Sequence, residues 1–340
     1  MCSSDLVLGI VYLQPKLGGL VEFKSRFADK IWALFTVSVA AQLATMPLGI
    51  YYFHQFPVYF WLANLIVVPL ATGILYVGVA ALAMSWIPLI STLLFKLLFW
   101  MIWGMNELNL LLTHLPGSII NGLTTTETQV WLQYALLLLL ILLFARKKLV
   151  YMGLATAIVG VLAVQQVLEI QELKEKEVLA VYHVRGNTAV AFVENKAATL
   201  VSSAGLVAGS PDFKFNIQPH LWQLGVQEPL VNELYTPATA IEHTMLPDSN
   251  SMVVWNGLKV LLLSKPIKME GIAAAAFDYV VLSKNVRLWP EDLAQLQGKQ
   301  VILDTSNAPW YVQRLKKQLD EAGIKYYDVA SEGAFIKQLN

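Results

Sequence analysis

The chain has 340 residues, its 24 basic and 24 acidic side chains cancel, and 56% of its residues are apolar against 14% charged. Soluble chains of this length carry nearer a quarter charged residues, so an ordinary soluble enzyme is excluded. The balanced charge excludes a broad phosphate-neutralising surface, and the single cysteine, Cys2, excludes an internal disulfide framework or thiolate metal cluster within one chain.

The charges are also badly spread. Residues 31–145 hold three (Lys96, Glu107, Glu127), residues 149–167 hold none, and residues 168–340 hold 35 of the 48. This divides the chain into a membrane half over residues 1–167, a charged linker over 168–177 and a soluble half over 178–340. The opening run, Leu6–Leu13, is only eight apolar residues long. MCSSDL before it lacks the basic and apolar regions of a signal peptide. The run reads as the tail of a span, so the expectation is an N-terminally truncated membrane domain; the alternative is a short interfacial segment.

Crossing about 30 Å of hydrocarbon takes about 20 apolar residues in a helix. Five apolar runs, uncharged except for Lys96 and Glu107 in the third, approach or exceed that length: Ile31–Phe53, Tyr59–Met84, Ile90–Leu112, Val130–Ala145 and Leu149–Val167. The fourth is short and needs Thr126–Gln129 or a locally thinned bilayer. Lys and Arg concentrate in short cytoplasmic loops. Here they occupy Lys16–Lys30 and the turn Arg146-Lys147-Lys148, whereas the loops Phe53–Val58, Ser85–Pro88 and Thr113–Gln129 have none. Four crossings separate the two basic segments, so both lie on one side, and the fifth span exports the soluble half to the periplasmic or extracellular face of the cytoplasmic (inner) membrane.

Polar side chains within spans mark functional candidates. They are Gln42, Thr45, His54, Asn64, Lys96, Glu107 and His114. The plainer account is that Thr and Asn tie helices together and that His54 and His114 lie in wet interfacial positions. Lys96 and Glu107 are eleven residues apart, so they share a helix face but stand too far apart for a direct pair. Pro47 and Pro69 are expected to break or kink two successive spans, which favours a protein-lined cavity.

Beyond the helical link Glu169–Glu177 the pattern turns to short β-runs, Val178–Val184, Thr188–Val193 and, after an Asn195-Lys196 turn, Ala198–Ser202. Asn256-Gly257 between Met252–Trp255 and Leu258–Leu263 is a two-residue hairpin signal. An alternating tail follows: strand Phe277–Leu282, helix Pro290–Leu296, strand Gln300–Asp304, amphipathic helix Ala308–Ala322 closed by Gly323, and strands Tyr326–Val329 and Ala334–Ile336. Hairpins followed by βαβα imply an αβ sandwich.

Residues 40–70, AAQLATMPLGIYYFHQFPVYFWLANLIVVPL, resemble the transmembrane signature of the ComEC-type competence family: Gln-x-x-Thr-x-Pro, Tyr-x-Phe-His, then Ala-Asn-Leu with Pro five residues after the Asn. The opening LVLGIVYLQPKL resembles the end of that family's preceding span, and the soluble half is similar to its metallo-β-lactamase-like C-terminal domain. The resemblance implies an inner-membrane channel component that passes single-stranded DNA into the cell during natural transformation. Gln42, Thr45, Pro47, His54, Asn64 and Pro69 would then build the path. Tyr51, Tyr52, Phe53, Phe56, Tyr59, Phe60 and Trp61 would stack bases or form an interfacial aromatic belt.

The same resemblance implies that metal chemistry has been lost. The family's Asp-Val-Gly-Gln-Gly-Asp corresponds to His183, Val184, Arg185, Gly186, Asn187 and Thr188, and its Asp-Gly-Gly falls near Ser202-Ser203-Ala204. Its Gly-Asp falls near Lys265-Pro266, and Pro-His-His-Gly-Ser is replaced by Ser283, Lys284, Asn285, Val286 and Arg287. A two-metal hydrolase needs converging His and carboxylate ligands. The soluble half offers only His183, His220 and His243, without paired spacing. The expectation is a noncatalytic domain with no cofactor and no metal, in which Arg185, Lys265, Lys284 and Arg287 are candidate DNA-backbone contacts or else ordinary solvated loop charges. No Gly-rich Lys-Ser/Thr phosphate loop is present, so a cytoplasmic ATPase or helicase partner is implied, with a DNA receptor outside, lipid around the spans and oligomeric state, homo-oligomer included, left open. The alternatives are an uptake protein with an active metal-dependent nuclease domain and a small-molecule permease with an external sensor domain.

Overall fold

A computed structural model describes residues 2–21, 23–234, 241–267 and 277–339. The chain divides into two compact units, Met1–Leu162 and Ala163–Asn340. In the first, α1 (Cys2–Gly18), α2 (Arg26–Phe53), α3 (Phe60–Ala83), α4 (Pro88–Thr113) and α5 (Glu127–Arg146) follow one another, and α6 (Leu149–Glu175) begins there and ends in the second unit. Helices α2 to α6 are each long and apolar enough to cross a membrane, in the order expected from the apolar runs. Helix α1 spans 17 residues, twice the apolar run that announced it.

Local chemistry sets the helix ends. Helix α5 gains its first turn through a capping box, in which Thr126 Oγ1 accepts from Gln129 N and Gln129 Oε1 accepts from Thr126 N at 3.0 Å. Such a cap contributes about 1 kcal/mol and brings the span to 20 residues. At the other end Lys147 turns left-handed, φ +50°, and its N–H bonds Leu143 O. Of the break or kink expected at the two prolines, the break does not occur: α2 runs through Pro47 and α3 through Pro69. Each proline removes one hydrogen bond, but in lipid an unpaired backbone is so costly that the remaining ladder is kept.

Helix α1 packs on α2 through small residues, and a Cβ built on Gly9 would stand 2.3 Å from Ala44 Cβ. Close approach of this kind replaces the hydrophobic effect as the glue between helices in lipid. The Tyr134 hydroxyl of α5 donates to Ala44 O at 3.0 Å, so three helices meet at one point. Between the helices, β1 (Gln55–Pro57) pairs antiparallel with β2 (Ile119–Asn121), Phe56 opposite Ile120. This joins the loop after α2 to the loop after α4, two of the loops without Lys or Arg, and requires both to lie on the same side.

The second unit is a four-layer αβ sandwich. One sheet has the order β13–β3–β4–β5–β6, built from β3 (Glu177–Val181), β4 (Ala189–Glu194), β5 (Ala197–Ser202), β6 (Leu230–Glu233) and β13 (Phe335–Leu339). The other has the order β12–β11–β10–β9–β8–β7, from β7 (Glu242–Leu246), β8 (Asn250–Trp255), β9 (Leu258–Leu263), β10 (Tyr279–Leu282), β11 (Gln300–Leu303) and β12 (Tyr326–Asp328). Strands β9 to β12 run parallel, and the Asn256-Gly257 turn, both residues at positive φ, joins β8 to β9 as anticipated.

Side chains alternate between layers with the period of a strand. Leu179, Val181, Val190 and Phe192 meet Val260, Leu262, Val281 and Ile302 between the sheets. On the outer face of the first sheet, Val178 and Ala180 pack with Phe213, Ile217 and Leu221 of the short helices α7 (Pro211–Asn216) and α8 (Gln218–Gln223) and the residue between them. On the second, Leu261, Val280 and Val301 pack under α9 (Pro290–Gln295) and α10 (Pro309–Glu321), the latter through Val312, Leu315 and Leu319. A last short helix, α11 (Val329–Glu332), precedes β13.

Candidate functional site

In the membrane unit the sequence candidates separate. Gln42 and Thr45 line a cavity of about 480 Å³ beside Phe53, Gln55 and Phe56. The Thr45 hydroxyl donates to Ala41 O at 2.9 Å, a bond inside its own helix. Pro47 is buried, Asn64 half-buried and Pro69 exposed. His54, a path candidate whose plainer account was a wet interfacial position, is buried: it is 4% exposed and forms the left-handed end of α2, φ +54°. Its ring Nδ1 lies 3.2 Å from Leu123 O, and Leu123 N donates to His54 O at 3.0 Å. The histidine therefore fixes the α2 exit against the segment between β2 and α5. Lys96, Glu107 and His114 are exposed on α4 or its cap.

A larger cavity, about 630 Å³, lies between α1, α2 and α5 and is lined by Tyr12, Tyr51, Tyr52, Trp131 and Tyr134 with Glu127. The rings of Tyr51 and Tyr52 meet edge to face at 5.1 Å, as do Phe56 and Phe60 at 6.1 Å. The aromatic cluster singled out in the sequence is thus distributed among wall, groove and surface.

In the second unit, segments far apart in sequence meet at one end of the sandwich. Asp304 follows the apolar strand β11 and is 1% exposed. Its Oδ1 accepts from Ser306 N at 3.1 Å, Ser306 Oγ at 2.6 Å and Asn307 Nδ2 at 3.0 Å, and its Oδ2 accepts from the Thr188 hydroxyl. Burial pushes this carboxyl up to about 7, against the opposing pull of the Ser306 and Thr188 hydrogen bonds and the Lys284 charge. Thr305 Oγ1 donates to Val184 O at 2.6 Å, and Gly186 N to Thr305 O at 3.1 Å, so the loop after β3 is laced to the loop after β11. Ser203 Oγ donates to Asn187 Oδ1 at 2.8 Å.

The loop after β10 joins the same network. Lys284 N donates to Ser306 Oγ at 2.8 Å and Asn285 N to Asn307 Oδ1 at 2.8 Å, with Lys284 and Asn285 both at positive φ. Asn250 Oδ1 accepts from Ser264 N and Lys265 N at 2.9 and 3.1 Å, which fixes the loop after β9. Arg185, Lys265, Lys284 and Arg287 are all exposed on these loops. The four candidates therefore decorate the rim around a buried carboxylate that sequence reasoning missed; its only signal is an acid placed directly after the apolar run Val301–Leu303.

The donor set does not fit a two-metal centre. Among the described residues no group of three His, Cys, Asp or Glu side chains is arranged to hold a metal ion. Four hydrogen-bond donors surround Asp304. Of the histidines, His183 is exposed, His220 places Nδ1 2.9 Å from the Tyr182 hydroxyl, and His243 lies in β7 of the other sheet. Burial lowers the proton affinity of both His220 and His243.

Residues 3–149 match the family model described as Competence protein, and residues 179–339 match the one described as ComEC C-terminal domain. No match is found among curated proteins or among solved structures.

Proposed function

We propose a DNA-conducting role for this chain, which belongs to the ComEC-type competence family and is a membrane protein of the DNA-uptake system of transformation. In this reading it is an inner-membrane channel component through which one strand of incoming DNA enters the cell, and its C-terminal unit faces the periplasm or exterior. The observation that carries it is the joining, in one chain, of a competence-type membrane unit over residues 3–149 to a ComEC C-terminal unit over residues 179–339.

The membrane unit supplies the path, with Gln42, Thr45 and Asn64 as polar groups along it and the aromatic side chains after α2 as a sequence-tolerant surface for bases. The C-terminal unit acts without catalysis, guiding or docking DNA through the rim of Arg185, Lys265, Lys284 and Arg287. Its support is that Asp304, among the described residues the one buried acid at that rim, is held by neutral donors rather than by further acids or histidines. Strand degradation falls to another protein, capture to a surface receptor, and the driving force to a cytoplasmic ATPase or helicase.

Deleting the gene tests the role: cells are expected to keep DNA bound at the surface while transformation is lost. Metal analysis and a single-strand degradation assay on the purified full chain test the absence of catalysis. Stoichiometric zinc or manganese together with hydrolysis overturns that part.

A further inference from the structure

Beside the rim described above lies a second concave surface, a cleft of about 560 Å³ between the loop after β10 and the first turns of α10. Its walls carry Arg287 and Trp289 from the loop and Trp310, Tyr311 and Arg314 from the helix. Among the described residues, no Asp or Glu lines it. Trp310 and Arg314 are four residues apart and share the outer face of α10, whose inner face, Val312, Leu315 and Leu319, is spent on the core. Trp310 is 65% exposed and Trp289 37%. Two exposed aromatic rings and two guanidinium groups gathered in one concave surface mark a binding site rather than scattered exposed side chains.

The cleft is braced. The Tyr311 hydroxyl donates to Val286 O, Ala308 N donates to Asn285 Oδ1 at 2.7 Å, and Asn285 N donates to Asn307 Oδ1 at 2.8 Å. These bonds tie the helix wall to the loop wall, so little conformational freedom remains to be lost on binding.

We propose that this cleft binds single-stranded DNA, with Trp289 and Trp310 stacking on bases and Arg287 and Arg314 contacting the phosphates between them. The assignment rests on the DNA-conducting role and gives its C-terminal unit a reading surface. A single strand fits where a duplex does not, because the faces of the bases are open to stacking only when unpaired. The two tryptophans recognise any base, as a conduit for arbitrary sequence requires, and the guanidinium groups concentrate positive charge locally without the broad basic surface that a neutral chain lacks.

Fluorescein-labelled oligo(dT), an abasic oligonucleotide of equal length and the matching duplex, titrated against the full chain in detergent, test the assignment. Oligo(dT) is expected to bind best. Trp310→Ala should weaken oligo(dT) by about 5- to 150-fold, the range of one lost base stack, while Trp310→Phe restores most of the affinity and the abasic probe stays unchanged. Arg314→Glu should weaken both single-stranded probes and lessen their salt dependence.

Equal binding of oligo(dT) and abasic probe, preference for the duplex, or indifference to Trp310→Ala overturns the proposal. So does a tryptophan emission shift that follows the change from zwitterionic to anionic nanodiscs and ignores every oligonucleotide, since the face then meets lipid. If gene deletion abolishes transformation but the variants bind as the parent does, the cleft assignment falls alone. If deletion leaves transformation intact, the conducting role itself falls.

Discussion

Asp304 is the residue with the sharpest consequence for solution behaviour. A carboxyl raised from an ordinary value of 3.8 to about 7 by burial keeps its proton in the folded state over a range where the unfolded chain has already lost it. Its stabilising contribution is complete below pH about 4 and is lost as pH rises to about 7. The melting temperature of the C-terminal unit should fall across that window, and Asp304→Asn, neutral throughout, should flatten the slope. Asp328 runs the other way: burial raises it, but the Lys316 bond at 2.5 Å together with Ser331 and Ala330 outweighs burial and holds it low. Lys316→Met should therefore cost stability above pH about 4 and remove part of the acid limb below it. Calorimetric pH profiles of the parent and the two variants separate these effects. Neither environment was legible from composition: the donors around Asp304 come from residues 188, 306 and 307, so only the fold brings Thr188 to the carboxylate.

Among the elements, those with a local cause could be read directly. Asn256-Gly257 dictates its hairpin because both positions demand positive φ, and the apolar runs dictate their helices because lipid tolerates little else. Capping at Thr126 explains why α5 reaches farther than its apolar run. What stayed hidden were elements too short to carry a period. The pair β1 and β2, three residues each, owes its existence to a partner beyond two intervening spans, and α7 and α8 have six residues apiece. Pro47 and Pro69 are strong local signals that nevertheless do not end their helices, because the rest of a long helix carries the chain through them. The contact of α1 with α2 makes a further element-scale prediction. Gly9→Leu leaves no room against Ala44 and should loosen α1, seen as faster tryptic cleavage after Lys16 in detergent. Gly49→Leu, where an added Cβ meets nothing within 4 Å, should leave that cleavage rate unchanged.

At the scale of the whole molecule, the arithmetic of zero net charge proved to be an average over two unlike units. The second unit carries most of the charge, yet its candidate contacts are confined to one rim and one cleft. Orientation is the property that links the units to the proposed role. Green fluorescent protein fused after Lys147 should fluoresce in the cytoplasm, and the same fusion after Lys176 should stay dark while alkaline phosphatase there is active. Reversal of this pattern would put the soluble unit inside the cell and remove it from incoming DNA. The division into two unlike halves was legible from charge, and the αβ class of the second from its hairpin and βαβα pattern; the convergence of the loops after β3, β9, β10 and β11 was not, because it is a property of sheet topology and not of any segment.

The pairing of residues 55–57 with 119–121 carries a last consequence, for the order in which the chain is made. The partner of β1 lies beyond α3 and α4, so a ribosome delivers it only after both helices have been threaded. Until then the end of α2 lacks the Leu123 partners that hold His54. The clasp can therefore close only after residue 123 has been made, and until then the nascent bundle is held without it.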